Sequence, residues 1–286
     1  MKLNSSQLEA FFTIARLLNF TRAAEELHVT QSALSQRVAK LEEEIEVTLF
    51  IRDRSAIRLT EAGEQMLRFC QLTDSAESDL LSKLRGSRED LAGSLRIGGF
   101  SSVNRSLVMP ALKKLMLKNQ NLSLHLMTRE MKDLDAMLKH SEVDYVITNR
   151  KSESPDIRNI FLGFEDNVLV RSRKHADSEV FLDHDENDPT TRRYFSQNKL
   201  TLKASNMRYL DDVYGLIDGV KLGYGRAVLP VHLIEEERDL EIVNPQRILK
   251  ESVYLQFYIQ PFYRAVHVPF LEATQSHFRD SLRQDK

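Results

Sequence analysis

The segment from residue 18 to residue 63 constrains the fold more than any other part of the sequence. Its first part predicts a short helix with Thr21 as the N-cap. Residues 28–30 predict a tight turn, and residues 31 to about 45 predict a second helix. Small or apolar residues recur at helical spacing on one side of each helix, namely Ala23, Ala24, Leu27, Leu34, Val38, Leu41 and Ile45. Two such helices around a tight turn are typical of a helix-turn-helix.

The second helix presents short hydrogen-bonding side chains early along its other face. They are Gln31, Ser32, Ser35, Gln36 and Arg37, preceded by Thr30 in the turn. Such groups suit base edges and phosphates when the N-terminal end of a helix enters the major groove. The sequence therefore predicts binding to double-stranded DNA through these residues, with Thr21 as a further contact.

Two short strand-like stretches, 48–50 and 57–60, flank a loop that contains Arg52 and Arg54. This pattern is typical of a wing, whose basic side chains lie along the phosphate backbone. We therefore predict phosphate contacts from Arg52 and Arg54.

The same region resembles the LysR-type transcriptional regulators. The matching elements are Phe20 to Ala24, Leu27, Val29 to Ser35, Leu41-Glu42, Leu49-Phe50, Arg52 and Leu59 to Gly63. The resemblance is spread over more than forty residues here and extends in weaker form along nearly the whole chain. One departure is Glu46, which stands where the family usually has glycine just after the recognition helix. If that position needs a positive φ, a non-glycine residue costs about 1 kcal/mol.

Composition is compatible with a DNA-binding protein although the formal net charge is only -2 over 286 residues. A small basic head joined to a larger acidic domain would give this balance. The single cysteine, Cys70, excludes an internal disulfide and suits a reducing compartment. Neither a signal peptide nor a long apolar span is recognisable, so the sequence predicts a cytoplasmic protein without a membrane partner. It predicts neither a cofactor nor a metal.

A long helix is predicted from Thr60 to about Leu84, followed by a hinge at 86–90. A mostly apolar seam recurs along it at alternating three- and four-residue spacing, formed by Met66, Phe69, Thr73, Ala76, Leu80 and Leu84. A helix with such a stripe needs a partner, and the simplest partner is the same helix of a second subunit. We predict a homodimer, and the family resemblance implies a homotetramer.

From residue 91 onward, strands alternate with helices, which predicts an α/β fold with parallel sheet. The resemblance implies a two-lobed effector domain similar to type 2 periplasmic binding proteins. The expected organisation is a winged helix-turn-helix at 1–60, a linker helix and hinge at 61–90, and an effector domain at 91–286. Lobe I would comprise about 91–163 and 264–286, and lobe II about 164–263.

Ligands of such sheets bind beyond the carboxyl ends of the strands. A strand predicted at 200–202 would place residues 206–208 there. The predicted effector-binding residues are Ser101, Ser102, Thr128, Arg129 and Asn149 of lobe I, and Met207, Arg208 and Tyr224 of lobe II, with Asn206 as a further candidate. Hydroxyl and amide groups suit a compact polar ligand, and Arg129, Arg208 or Arg226 could neutralise a carboxylate.

Two other functions stay open from the sequence alone. The chain could bind small molecules and have a vestigial DNA-binding head, or it could be an enzyme that uses the cleft. Neither a P-loop nor a GxSxG motif supports an enzyme. The triplet 35–37 resembles the branch that controls basic amino-acid export, but three residues do not name an effector. A polar loop is the preferred interpretation of residues 183–186, rather than a metal site.

Overall fold

The computed structural model describes residues 4–52, 57–84, 91–202 and 207–284. The N-terminal head contains three helices and a two-stranded wing. Their bounds are α1 (Ser5–Leu17), α2 (Phe20–Glu26), α3 (Gln31–Ile45), β1 (Phe50–Arg52) and β2 (Ile57–Leu59). The strands are antiparallel, and Phe50 of β1 packs its ring 5.2 Å from the ring of Phe11 in α1. The wing is therefore fixed to the apolar core of the helices.

The long helix α4 (Glu61–Leu84) begins against the wing. The hydroxyl of Thr60 accepts a hydrogen bond from the backbone N–H of Gly63 at 3.0 Å and donates to the Thr48 carbonyl at 2.7 Å. A side chain at position 63 would meet the Leu49 carbonyl oxygen at 2.2 Å, so only glycine fits. The linker helix is thereby joined rigidly to the head.

Lobe I contains a parallel sheet covered by helices. Its elements are β3 (Gly93–Gly99), α5 (Ser101–Val103), a π-helical turn (Asn104–Val108), α6 (Met109–Lys118), β4 (Leu122–Thr128), α7 (Met131–Lys139) and β5 (Tyr145–Thr148). β3 pairs in parallel with both β4 and β5. The alternation of strands and helices and the parallel sheet predicted from the sequence are confirmed here.

Lobe II continues the same sheet. Its elements are β6 (Ile157–Ser172), β7 (Phe181–Asp183), α8 (Thr190–Gln197), β8 (Met207–Tyr209), α9 (Val213–Lys221), β9 (Arg226–Pro230), α10 (Val231–Ile234) and β10 (Leu240–Ile242). The chain returns through β11 (Leu249–Tyr258) and finishes in α11 (His267–Ser281). Among the described residues the strand order is β4-β3-β5-β11-β6-β9-β7-β8, with β10 on β6. The strand predicted at 200–202 was wrong, because the strand in this region is β8.

The long antiparallel strands β6 and β11 connect the two lobes. Their register shifts between Val253 and Tyr254, and Gly163 opposite has a φ of +141°. A bulge of this kind bends paired strands, so we define the crossing point here. Tyr254 and Gln256 pair with β5 of lobe I. The second crossing therefore lies near residue 253, whereas the sequence placed it near 263.

No helix in the described ranges has both the length and the apolarity that a membrane span requires.

Candidate DNA interface and inter-lobe cleft

The N-terminal half of α3 turns polar groups outward and buries its opposite face. Leu34, Val38 and Leu41 are fully buried. The polar residues predicted to contact DNA lie on the outer side, with Thr30, Gln31, Ser32 and Gln36 exposed and Ser35 and Arg37 half-buried. Thr30 caps the helix by accepting a hydrogen bond from the Ala33 N–H at 3.2 Å. The buried face fixes the helix while its polar end remains free to enter a groove about 12 Å wide.

The cap of α2 corrects one prediction. The Asn19 side chain accepts a hydrogen bond from the Arg22 N–H at 3.0 Å, so Asn19 is the N-cap and Thr21 lies in the first turn. Asparagine ranks above threonine as an N-cap, which explains the difference. Thr21 is exposed, and its contact with DNA stays a prediction.

The wing is held by an acidic residue of the recognition helix. Glu42 Oε1 accepts hydrogen bonds from the N–H groups of Leu49 at 2.6 Å and Phe50 at 3.1 Å. The backbone of Arg52 ends β1 opposite Ile57, and Arg54 lies outside the described residues. Phosphate contacts from these two arginines therefore stay predictions.

The turn after α3 has a backbone conformation that favours glycine. Glu46 has a φ of +56° and a ψ of 32°, which is the left-handed region. Position 46 therefore has the positive φ considered in the sequence analysis, and glutamate there costs about 1 kcal/mol relative to glycine.

Both lobes direct the carboxyl ends of their parallel strands toward the cleft. Thr148, at the end of β5, pairs with Tyr254, next to the crossing point. Pro230, at the end of β9, pairs with Asn167 of β6. Of the β6 residues that pair with β9, Asn167 lies nearest to the crossing point at Gly163. Residues that follow these strands therefore line the cleft.

The structure brings the predicted lobe I residues to this edge. Ser101 begins α5 and is half-buried, Ser102 is buried, and Thr128 is exposed at the end of β4. The side-chain oxygen of Asn149 is buried without a hydrogen-bond partner among the described residues. Arg129 is exposed and donates through Nη1 to the Thr128 carbonyl at 2.9 Å. Their contact with an effector stays a prediction.

Asn104 positions this edge, although the sequence analysis missed it. Its side-chain N–H₂ lies within hydrogen-bond distance of the carbonyl of Gly99 at 3.2 Å, the carbonyl of Met127 at 3.0 Å and the hydroxyl of Thr128 at 3.2 Å. A buried amide that connects β3 to β4 fixes where Thr128 stands. An asparagine five residues after the end of β3 was the available signal.

The predicted lobe II residues require correction. Met207 and Arg208 lie within β8, and Tyr224 precedes β9. Arg208 donates to the Tyr224 carbonyl at 2.8 Å. Since β8 and β9 both run parallel to β7, Tyr224 lies at the amino end of the strands, away from the cleft edge. The misplaced strand at 200–202 caused the error for Met207 and Arg208, and Asn206 lies outside the described residues.

In the described part of the chain, side chains of the π-helical turn contact lobe II instead, which the sequence analysis did not anticipate. The guanidinium of Arg105 lies 4.0 Å from the ring centroid of Tyr214. Ser106 Oγ lies 2.9 Å from Nδ1 of His232, whose Nε2 lies 2.8 Å from Oε1 of Glu165. We call Ser106, His232 and Glu165 the lobe bridge, because it joins the π-helical turn of lobe I to α10 and β6.

Arg226 is occupied by a structural ion pair. Its Nε and Nη2 lie 2.7 and 2.5 Å from the two carboxylate oxygens of Asp177. Burial works to raise the pKa of Asp177, but hydrogen bonds from Arg226 and Arg171 hold that pKa below its usual value. Arg226 is thus engaged by Asp177 rather than free to clamp a ligand carboxylate.

A cavity of about 910 Å³ separates α4 from lobe I. Arg68 of α4 stacks 5.0 Å from the ring centroid of Tyr258, and Gln71 donates to the Ser141 carbonyl at 3.1 Å. On the lobe I wall, Asp144 forms ion pairs with Arg96 at 2.8 Å and Arg264 at 2.5 Å. Burial works to raise the pKa of Asp144, yet these arginines hold it below its usual value. Among the described residues, the linker helix α4 therefore contacts lobe I through side chains at the edge of an open space.

The acidic loop after β7 is organised by hydrogen bonds. Thr191 donates to Asp183 at 2.5 Å, and Asp188 accepts from the His184 N–H at 3.2 Å. Burial raises the pKa of Asp183 to about 6. In the part of the chain that the structure describes, no three His, Cys, Asp or Glu residues are grouped to hold a metal ion.

A winged helix-turn-helix joined to a two-lobed α/β domain is the architecture of a ligand-responsive transcription factor. Residues 5–64 match the family model for the bacterial regulatory helix-turn-helix protein of the lysR family, and residues 88–259 match the LysR substrate binding domain. The chain belongs to the LysR family of transcriptional regulators.

Individual relatives agree with this assignment. The RuBisCO operon transcriptional regulator of Allochromatium vinosum is 28% identical over 255 residues, covering 83% of this chain and 82% of the relative. ArgP from Mycobacterium tuberculosis has a similar fold, with a TM-score of 0.78, 20% identity and coverage of 99% of this chain and 100% of that one. Full-length LysG of Corynebacterium glutamicum, solved with bound effector Arg, gives a TM-score of 0.77, 16% identity and the same coverage.

Proposed function

We propose that this LysR-family regulator recognises its operator through the outer face of α3 and contacts phosphates with its wing. The observation that carries the proposal is the exposed polar N-terminal end of α3 above a fully buried apolar face. Gln31, Ser32, Ser35 and Gln36 would contact base edges, while Thr21, Thr30, Arg37, Arg52 and Arg54 would contact the backbone.

Footprinting on the region upstream of its own gene tests this proposal. Replacing Gln36 by Ala should cost about 1–3 kcal/mol of binding free energy and relax the sequence preference. Glu43→Ala, at an exposed position toward the other end of α3, is the matched control and should leave the affinity unchanged. Equal footprints for wild type and Gln36→Ala would contradict the assignment.

The phosphate contact proposed for Arg54 of the wing is tested separately from the base contacts. Arg54→Ala should weaken binding to all sequences alike and reduce the slope of log affinity against log salt by about one. A loss confined to the operator sequence would show that Arg54 contacts bases instead.

We propose that the effector is a compact polar metabolite bound at the lobe I edge by Ser101, Ser102, Thr128 and Asn149, with Arg129 near its anionic group. The Asn149 oxygen is buried and has no hydrogen-bond partner among the residues that the structure describes, which supports a ligand that donates a hydrogen bond. Basic amino acids come first in a thermal-shift screen, because LysG was solved with arginine. Aromatic acids form the second group.

Thr128→Ala tests the effector site once a ligand is found. We expect basal DNA binding to remain and the effector response to weaken, because Thr128 lies far from the head along the chain. Ser123→Ala, an exposed hydroxyl at the other end of the same strand, is the control. A normal response in Thr128→Ala, or loss of DNA binding, would place the sensor elsewhere.

We further propose that the protein acts in the cytoplasm as a homodimer or homotetramer. Phe69, Leu72 and Leu80 of α4 are 45%, 37% and 55% exposed, which leaves apolar surface on the linker helix for a second copy.

A further inference from the structure

Arg105 has unused hydrogen-bond donors at the junction of the two lobes. It lies in the π-helical turn of lobe I and is exposed. Its guanidinium lies over the ring of Tyr214 of lobe II, 4.0 Å from the ring centroid. In the part of the chain that the structure describes, no hydrogen bond or ion pair engages this guanidinium. A guanidinium has five N–H donors in a planar fork, so contact with one ring leaves donors available for an acceptor.

The other arginines considered for an anionic group already have acceptors within the protein. Arg226 is paired with a carboxylate. Arg208 and Arg129 each donate to a backbone carbonyl. Arg105 differs from all three because its contact is with an aromatic ring, which occupies the face of the guanidinium rather than its donors. Arg105 is therefore the best prepared of these arginines to bind an anion from outside the chain.

Arg105 also stands beside the proposed effector residues of lobe I. The helix α5 begins at Ser101, beyond the carboxyl end of β3, and Arg105 follows four positions later. Residues four apart lie on the same side of a helix, so Ser101 and Arg105 share one side of this helical run. Asn104, immediately before Arg105, lies within hydrogen-bond distance of the Thr128 hydroxyl at 3.2 Å. Arg105 is thus attached to the same edge of lobe I as the rest of the proposed site.

The ring under Arg105 belongs to the first turn of α9, which Asp212 caps by accepting a hydrogen bond from the Gly215 N–H at 3.2 Å. The Tyr214 hydroxyl is buried and has no hydrogen-bond partner among the described residues. Few buried polar groups remain in this state, and a bound molecule would relieve it. Burial raises the pKa of Tyr214, Arg105 opposes that rise, and the charge of Asp212 adds to it. A carboxylate so close to the pair favours a singly charged anion over a doubly charged phosphate.

We propose that Arg105 binds a carboxylate of the effector through two N–H donors, while Tyr214 of lobe II fixes the orientation of the guanidinium. The planar fork of an arginine matches a carboxylate in this bidentate manner. The inference rests on the effector site proposed above and names its ligand class, a carboxylic acid. Because the arginine and the ring come from opposite lobes, the guanidinium is fixed only while the cleft is closed. The carboxylate then binds the closed cleft more tightly than the open one and shifts the equilibrium toward closure.

Calorimetry on the full-length protein tests this assignment with pairs of molecules that differ in a carboxylate. The pairs are L-arginine and agmatine, L-lysine and cadaverine, and benzoate and benzamide. For the wild type we expect at least one carboxylate to bind roughly tenfold or more tightly than its partner, as hydrogen bonds to charged groups usually achieve. Arg105→Gln should reduce this preference to about threefold or less. Arg158→Gln, at an exposed arginine near the start of β6, is the matched control and should retain it.

The positioning role of Tyr214 has its own readout. Tyr214→Phe preserves the ring and should keep the carboxylate preference, whereas Tyr214→Ala should lose it although Arg105 remains. Loss of the preference in Arg129→Gln but not in Arg105→Gln would overturn the proposal and leave the effector site in place. Inorganic phosphate that displaces the bound acid at a lower concentration than acetate does would overturn the carboxylate assignment. If no molecule of any pair bound the wild type, the effector site proposed above would be refuted together with this inference.

Discussion

Glu46 and Asp183 are single residues whose side chains fit their positions poorly. Glu46 adopts a left-handed backbone conformation at the end of the recognition helix, where glycine has no steric penalty. Asp183 is 3% exposed and has one strong donor, Thr191, beside it. Both residues lower the stability of the fold, Glu46 beside the recognition helix and Asp183 at the cleft edge. Strained or destabilising residues are common at functional sites.

Glu46→Gly should stabilise the folded protein by about 1 kcal/mol, because it removes the left-handed penalty. The opposite sign is expected for Glu43→Gly, since Glu43 is exposed within the helix, where glycine costs about 1 kcal/mol. Urea unfolding of both variants measures the two free energies. Destabilisation by both changes would show that the conformation at position 46 causes no strain.

Asp183→Asn should stabilise the protein at neutral pH and flatten its pH profile. The folded-state pKa of about 6 lies above the ordinary value of 3.8, so the stability that protonated Asp183 provides is complete below about pH 4. It is lost as the pH rises through 6. Because local relaxation around a buried carboxylate offsets part of the desolvation cost, we expect a gain on the order of 1 kcal/mol at pH 7.5.

Urea unfolding from pH 4 to pH 8 measures the Asp183 effect. Asp185→Asn, an exposed carboxylate of the same loop, provides the control and should follow the wild-type profile. If the difference between wild type and Asp183→Asn were constant with pH, the buried carboxylate would not be titrating in this range.

Among the elements, those set by local signals could be predicted and those set by distant contacts could not. The bounds of α3 and α4 follow from caps at Thr30 and Thr60 and from apolar residues at helical spacing. β8 is only three residues long, and no local pattern distinguishes it from its surroundings. The lobe bridge could not be predicted from local sequence either. Ser106 and His232 are 126 positions apart, and they come into contact only when both lobes are folded.

The linker helix gives the clearest prediction at this scale. Leu80→Glu should break the subunit assembly, because a carboxylate in an apolar seam is buried without a partner. Leu80→Met, which preserves volume and apolarity, should assemble normally. Sedimentation velocity separates the two outcomes, and operator affinity should fall with assembly because two linked heads bind cooperatively. An unaltered oligomer in Leu80→Glu would place the interface elsewhere.

On the scale of the whole molecule, side chains of α4 contact lobe I beside a cavity of about 910 Å³ in the described part of the chain. Arg68 on Tyr258 and Gln71 on Ser141 join α4 to lobe I. Tyr258 ends β11, the strand that also crosses between the lobes. A change in the angle between the lobes would therefore reach the linker helix through β11 and the contact of Tyr258 with Arg68.

Arg68→Ala should reduce the coupling between effector and operator while leaving basal operator affinity intact. Coupling free energies are typically about 1–3 kcal/mol and act equally in both directions. Effector affinity with and without operator DNA, measured by calorimetry, should thus become similar in this variant. Gln65→Ala, an exposed residue of the same cavity wall, is the control. Undiminished coupling in Arg68→Ala would exclude this route.

The crossing of β6 and β11 also determines the order in which the chain completes its parts during synthesis. Lobe I begins with β3, yet its sheet requires β11, and the chain packs α11 against α6 only near its end. The β-bridge between Phe164 and Arg283 is later still. The head, whose core uses residues 10 to 70, can fold while the ribosome is still translating lobe II. The residues of the head core are therefore complete in the growing chain long before those of lobe I, whose sheet and helix packing wait for β11 and α11.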